Sequence, residues 1–139
     1  MKHLAKIIGV LIVAYWLLLA HVSLNFLDDI PSTGFVSKDG RYKILFRDIY
    51  PINPIGLYCS LTTESPIYFS LYDAKRGYVG QSSPFACFNK WNDARFIFPG
   101  EEFTTDADSF VVVDDEYNGE LSISTKEKRW WSIILAPFQ

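Results

Sequence analysis

The sequence predicts a mainly β fold, an antiparallel sandwich or curled sheet, preceded by one N-terminal transmembrane helix. Three observations predict it. Residues 7–27 contain no charged side chain. Beyond them, short apolar stretches alternate with turn residues roughly every ten positions, and no window outside the leader keeps a long apolar period of 3.6. The chain of 139 residues has room for one domain, since domains need on the order of 100–150 residues. It divides into a leader, residues 1–30, and an exported domain, residues 31–139, rich enough in Phe, Tyr, Trp, Val and Ile to bury a core.

As a helix, residues 7–27 rise about 30 Å at roughly 1.5 Å per residue, the thickness of a bilayer's hydrocarbon core. Lys2 and Lys6 precede the run and Asp28 and Asp29 follow it. That asymmetry predicts a cytoplasmic N-terminus and an exported remainder: a single-pass protein whose domain lies in the bacterial periplasm or a secretory lumen. The competing reading is a cleavable signal peptide. Cleavage after Ala20 would set Leu18 where a small residue is wanted, and no Ala-x-Ala pattern follows, so the uncleaved anchor is preferred. No Cys stands near the end of the run, which excludes a lipoprotein signal. His21, Ser23 and Asn25 lie near its outer end and are read as polar groups reaching headgroup water.

In the exported part, Asp39-Gly40 suits a tight turn, after which residues 41–50 alternate. Tyr42, Ile44 and Phe46 point one way while Arg41, Lys43 and Arg47 point the other, as in a half-buried strand. Residues 51–56 hold Pro51 and Pro54, which cannot donate ladder hydrogen bonds, and read as a loop. Residues 57–61 and 67–72 read as strands around the polar turn 62–65. A turn at 73–77 leads to further strands at 78–82, 85–88, 95–98, 110–114, 121–124 and 130–135. Asn118-Gly119 marks a hairpin, and a brief helix fits residues 89–93.

Cys59 and Cys87 both fall in the exported part, where an oxidising compartment favours a disulfide. The bond would close a loop of about 29 residues, worth roughly 3–4 kcal/mol in the chain-entropy picture. Two separate buried thiols are the alternative.

The two histidines, His3 and His21, lie in the leader. Ser-His-Asp and Cys-His nucleophilic systems and His-based zinc sites are thereby excluded from the exported part. A two-carboxylate mechanism needs one carboxyl isolated in an apolar cleft, and the sequence singles out none. Residues 114–119 mimic a calcium loop, but its twelfth position is Thr125 where a bidentate Glu is required. The sequence thus predicts no enzyme, no cofactor and no metal. With a net charge of −3, nucleic acid is also excluded as a partner.

An acidic run remains: Glu101, Glu102, Asp106, Asp108, Asp114, Asp115, Glu116 and Glu120, with no Lys or Arg among them. It reads either as a solvated edge that discourages aggregation or as a patch that steers a basic protein partner. Trp130 and Trp131 would fall on opposite faces of a strand, leaving one exposed. Tyr68 and Tyr72 raise the same question. Exposed aromatics beside charge are typical of interfaces, so Trp130 and Trp131 join the acidic residues as candidate contacts.

Asp39-Gly40-Arg41-Tyr42-Lys43-Ile44, then Phe69-Ser70-Leu71-Tyr72-Asp73, Gly77-Tyr78-Val79-Gly80-Gln81-Ser82 and Phe96-Ile97-Phe98-Pro99 resemble a family of small, membrane-anchored enterobacterial proteins of unassigned function. Some similar proteins lie beside type VI secretion toxins and are suspected immunity proteins. The resemblance implies a single-pass protein of the bacterial inner membrane whose domain captures an incoming effector in the periplasm, and it carries over no catalytic residue. The expected function is therefore a membrane-anchored binding protein that neutralises a toxin by occlusion. The alternative is a structural or interaction protein of the cell envelope.

Overall fold

The computed structural model describes residues 1–23, 33–101, 107–113 and 119–139. The chain opens with helix α1, Lys2–Leu19, extended by a 3-10 turn over Ala20–Val22. This unit is long and apolar enough to cross a membrane. Its exposed apolar surface ends at Leu18, while Leu19, Ala20, His21, Val22 and Ser23 are all buried in the domain. The sequence reading of His21 and Ser23 as headgroup contacts is therefore corrected: the folded chain, not water, surrounds them. Asn25 lies outside the described residues.

Antiparallel pairing then builds two sheets. Strands β1 (Gly34–Val36), β2 (Tyr42–Asp48), β3 (Pro66–Asp73) and β4 (Gly77–Gln81) follow one another across the first. The short β5 (Phe88–Asn89) pairs with the start of β3, on the edge that β4 takes further along. Strands β6 (Arg95–Ile97), β7 (Ser109–Val113) and β8 (Ile123–Ser124) form the second sheet. The period-two reading of β2 holds: Tyr42 and Ile44 are buried, Phe46 is half-buried against them, and Lys43 is exposed.

Both faces of β3 are covered, because successive side chains point to opposite sides. Ile67, Phe69 and Leu71 enter a core shared with Phe110, Val112 and Ile123 from the second sheet and with Phe98, which follows β6. The rings of Phe46, Phe69, Phe96 and Phe110 meet there at centroid separations of 5.2–6.2 Å, a spacing at which edge and offset contacts are favourable. On the other face, Tyr68 packs in a second core with Leu19, Val22, Ile49, Cys59, Trp131 and Leu135. Tyr68 is thus fully buried and Tyr72 only partly.

Two segments read as strands are helices. Residues 57–61 lie in α2, Pro54–Thr62, and residues 130–135 form α3, Trp130–Leu135, followed by a 3-10 turn over Ala136–Phe138. The loop expected at 51–56 accordingly ends where α2 begins. Asn53 caps α2, its side-chain oxygen accepting the Gly56 N–H at 2.8 Å, and Pro54 supplies a preset φ in the first turn. The predicted strand 85–88 shrinks to β5, because Pro84 and Phe85 sit in a turn, and 121–124 shrinks to β8. The helix expected at 89–93 is a turn instead, in which Asn89 accepts the Trp91 N–H with its side chain and the Asn92 N–H with its backbone.

The turn after β3 is held by Asp73. Its carboxylate accepts the backbone N–H groups of Lys75 at 2.8 Å and Arg76 at 3.3 Å, and pairs with Arg41 and Arg76. These bonds, the Lys75 amide first, bring the carboxyl down from 3.8 to about 2. A depressed folded value means that the charged form stabilises the fold above 3.8 and that this contribution is lost as pH falls through about 2. Asp73→Asn is expected to flatten the pH dependence of stability across that window, read from denaturation midpoints. An unchanged acid limb in the variant would assign the effect elsewhere.

Candidate interaction site

The acidic run is only partly within the described residues: Glu102, Asp106, Asp114, Asp115 and Glu116 lie outside them, as does Asn118 of the expected hairpin turn. Gly119 follows with φ of 82°, the left-handed backbone that such a turn requires of glycine. Glu101 and Asp108 line a cleft of about 450 Å³ together with Lys38, Asp39, Arg41 and Tyr42. Its walls carry both signs of charge. Glu101 accepts the backbone N–H of Lys38 at 2.7 Å, and Asp108 pairs with Lys126. Of the described acids, Glu101 and Asp108 come together at one cleft, while Glu120 is exposed on the turn before β8.

Trp130 and Trp131 divide as the sequence reading expected, one exposed and one buried, although the element is a helix and the angle between them is about 100° rather than 180°. The Trp131 indole N–H donates to the Gln81 carbonyl at 3.1 Å. Trp130 instead lines an apolar groove of about 480 Å³ with Ile134 and residues of α1 such as Leu11, Tyr15 and Leu18. The tryptophan and the acidic candidates therefore belong to two different cavities.

Sequence reasoning missed the junction of α1 with the domain. His21 Nε2 lies 2.7 Å from the Pro84 carbonyl, and its Nδ1 lies 2.9 Å from the Asn53 amide nitrogen. A carbonyl accepts and an amide NH2 donates, so the consistent form is the neutral imidazole with its proton on Nε2. The same Asn53 amide nitrogen, sharing two hydrogens among three acceptors, also reaches the Trp16 and Leu17 carbonyls in the last turn of α1 at 2.7 and 3.1 Å. Gly56 completes the joint. A Cβ there would lie 2.1 Å from the Tyr50 carbonyl oxygen and 2.8 Å from His21 Cβ, so the close approach of α2 to His21 requires glycine. The signal that could have located it is Asn53-Pro54, a cap followed by a first-turn proline, in the segment expected to be a loop.

Cys59 on α2 and Cys87 before β5 form a disulfide, which ties the joint to the β3 edge of the sheet. Among the described residues no three His, Cys, Asp or Glu side chains are grouped to hold a metal ion.

No curated protein and no solved structure matches the chain significantly. A family does: its description is a family of unknown function, DUF6201, and the match runs over residues 1–135, taking in α1 as well as both sheets and α3. Nothing in that match links the chain to type VI immunity proteins or to enterobacteria. Spanning nearly the whole length, the match shows that the chain belongs to the DUF6201 family.

Proposed function

We propose that the chain is a membrane-anchored binding protein whose domain, exposed to an oxidising compartment such as the periplasm, captures and occludes a protein partner, as an inhibitor of a toxin or enzyme would. The observation that carries this reading is the fusion of α1 with the domain: Leu19 to Ser23 are buried in it, and His21 is bonded to both Pro84 and Asn53. A leader cut after Ala20 would take Leu19 out of the second core, which supports a retained anchor over a signal peptide. The disulfide supports an oxidising compartment. Lys2 and Lys6 at the start of α1 support a cytoplasmic N-terminus. His21, the one histidine that reaches the domain, is enclosed with both ring nitrogens engaged. That supports action by contact.

The mixed-charge cleft is the candidate contact, with Glu101 and Asp108 as its acidic members. The test uses the full chain in nanodiscs as bait at low and high salt. A basic partner is expected that binds more slowly as salt rises, and the double change Glu101→Lys and Asp108→Lys is expected to slow its association by about tenfold or more. A partner indifferent to both changes would move the contact to another surface. Recovery of no soluble partner would favour a structural component of the envelope.

A further inference from the structure

Helix α3 carries apolar side chains on both its sides. Trp131 and Leu135 point into the second core, while Trp130, Ile133 and Ile134 are exposed, as is Phe138 in the turn that follows. Water would select polar residues at those exposed positions. The Phe138 ring lies 6.0 Å from that of Tyr15, and Trp130 and Ile134 face the apolar side of α1 across their shared groove. Tyr15 is roughly 6 Å along the helix axis before Leu19, the point at which α1 enters the domain. The end of α3 therefore lies alongside α1 just where it enters the domain, with Tyr15 partly buried against the second core and residues 1–13 exposed.

The exposed part of α1 is also short for its task. From Lys2 to Leu18 it rises about 25 Å, against a hydrocarbon core of about 30 Å. Such a shortfall thins the bilayer unless apolar surface beside the helix makes it up. Lys128 and Arg129, exposed just before α3 with their cations over the Tyr78 and Trp131 rings, add positive charge that anionic headgroups would attract, and Trp130 follows them as an indole suited to the membrane interface.

We propose that α3 and the turn Ala136–Phe138 are immersed in the leaflet on the domain's side, so that the domain is seated in an anionic phospholipid surface beside its own anchor. This rests on the reading of α1 as a membrane anchor. The full chain, in nanodiscs of phosphatidylethanolamine and phosphatidylglycerol, would carry one nitroxide at a time on Ile8→Cys, Ile133→Cys, Phe138→Cys or Lys75→Cys, with the native disulfide intact. Collision with oxygen reports lipid and collision with a water-soluble nickel chelate reports water.

Positions 8, 133 and 138 are expected to be rich in oxygen and poor in nickel, and position 75, in the charged turn after β3, the reverse. Nickel access at 133 and 138 with lipid at 8 would leave the anchor standing and overturn the seating. Shielding of 133 and 138 from both reagents would show a protein surface there, a second copy or a partner, and would also overturn it. Nickel access at position 8 would remove the anchor itself and the seating with it.

Discussion

Replacing Cys59 or Cys87 by Ala is expected to lower the stability of the domain by about 3–4 kcal/mol, the loop-closure entropy that the bond withholds from the unfolded chain. The bond encloses the end of α2, β3, β4 and the segment that leads to β5. Without it, the unfolded chain gains the freedom of all these elements at once. The check is denaturant unfolding of the full chain in detergent micelles, followed by tryptophan fluorescence with and without a thiol reductant. Reduction of the wild type is expected to bring its midpoint close to that of the Cys59→Ala variant. Identical midpoints for oxidised and reduced protein would show that packing in the second core, where Cys59 is fully buried, holds α2 unaided.

Asn53→Leu is expected to cost about 2–4 kcal/mol, combining the loss of a helix cap with buried polar groups left unpaired. One side chain caps α2 through Gly56, bonds His21 Nδ1, and serves the Trp16 and Leu17 carbonyls at the end of α1. Leucine removes all of these together. Asn53→Asp keeps an acceptor for the Gly56 N–H but sets a carboxylate against two carbonyl oxygens, and is expected to be at least as damaging as leucine. Unfolding midpoints in micelles measure both, and protease access near residue 53 reports whether the joint has opened. A leucine variant within about 0.5 kcal/mol of wild type would show that the joint is held by apolar packing alone.

The joint and the disulfide also divide what was legible from what was not. Strands β2, β3, β4 and β7 were readable because each alternates or runs apolar between turn residues, and period two survives wherever one face is buried. Asp39-Gly40 and the turn after β3 were readable for the same local reason: Gly40 and Gly77 have φ of 71° and 77°, values that few other residues adopt without strain. Helices α2 and α3 were not. In α2, Leu57, Tyr58 and Leu61 are exposed while Gly56 and Cys59 are buried, and α3 likewise exposes Trp130, Ile133 and Ile134. A helix that is apolar on both sides shows no 3.6 period, and a short run of that kind reads as a buried strand.

The candidate contacts were legible as composition only. Glu101 and Asp108 meet at one cleft because β6 pairs with β7, while Lys38 and Arg41 reach the same cleft from the start of β2. No local pattern foretells which cation will face which acid. Asn53 lies 32 residues from His21 and Pro84 lies 63, so their meeting is likewise a product of packing.

By itself the sequence determined the apolar N-terminal helix and the antiparallel β character, and it left the two cysteines one possible pairing, because each depends on local composition, on a period of two, or on there being a single thiol partner. The tertiary structure alone decided that the helix ends inside the domain, that α2 and α3 coil rather than extend, and that His21 is enclosed instead of hydrated. Those outcomes depend on which surfaces meet across long separations, and a side chain's environment exists only once the chain has closed around it.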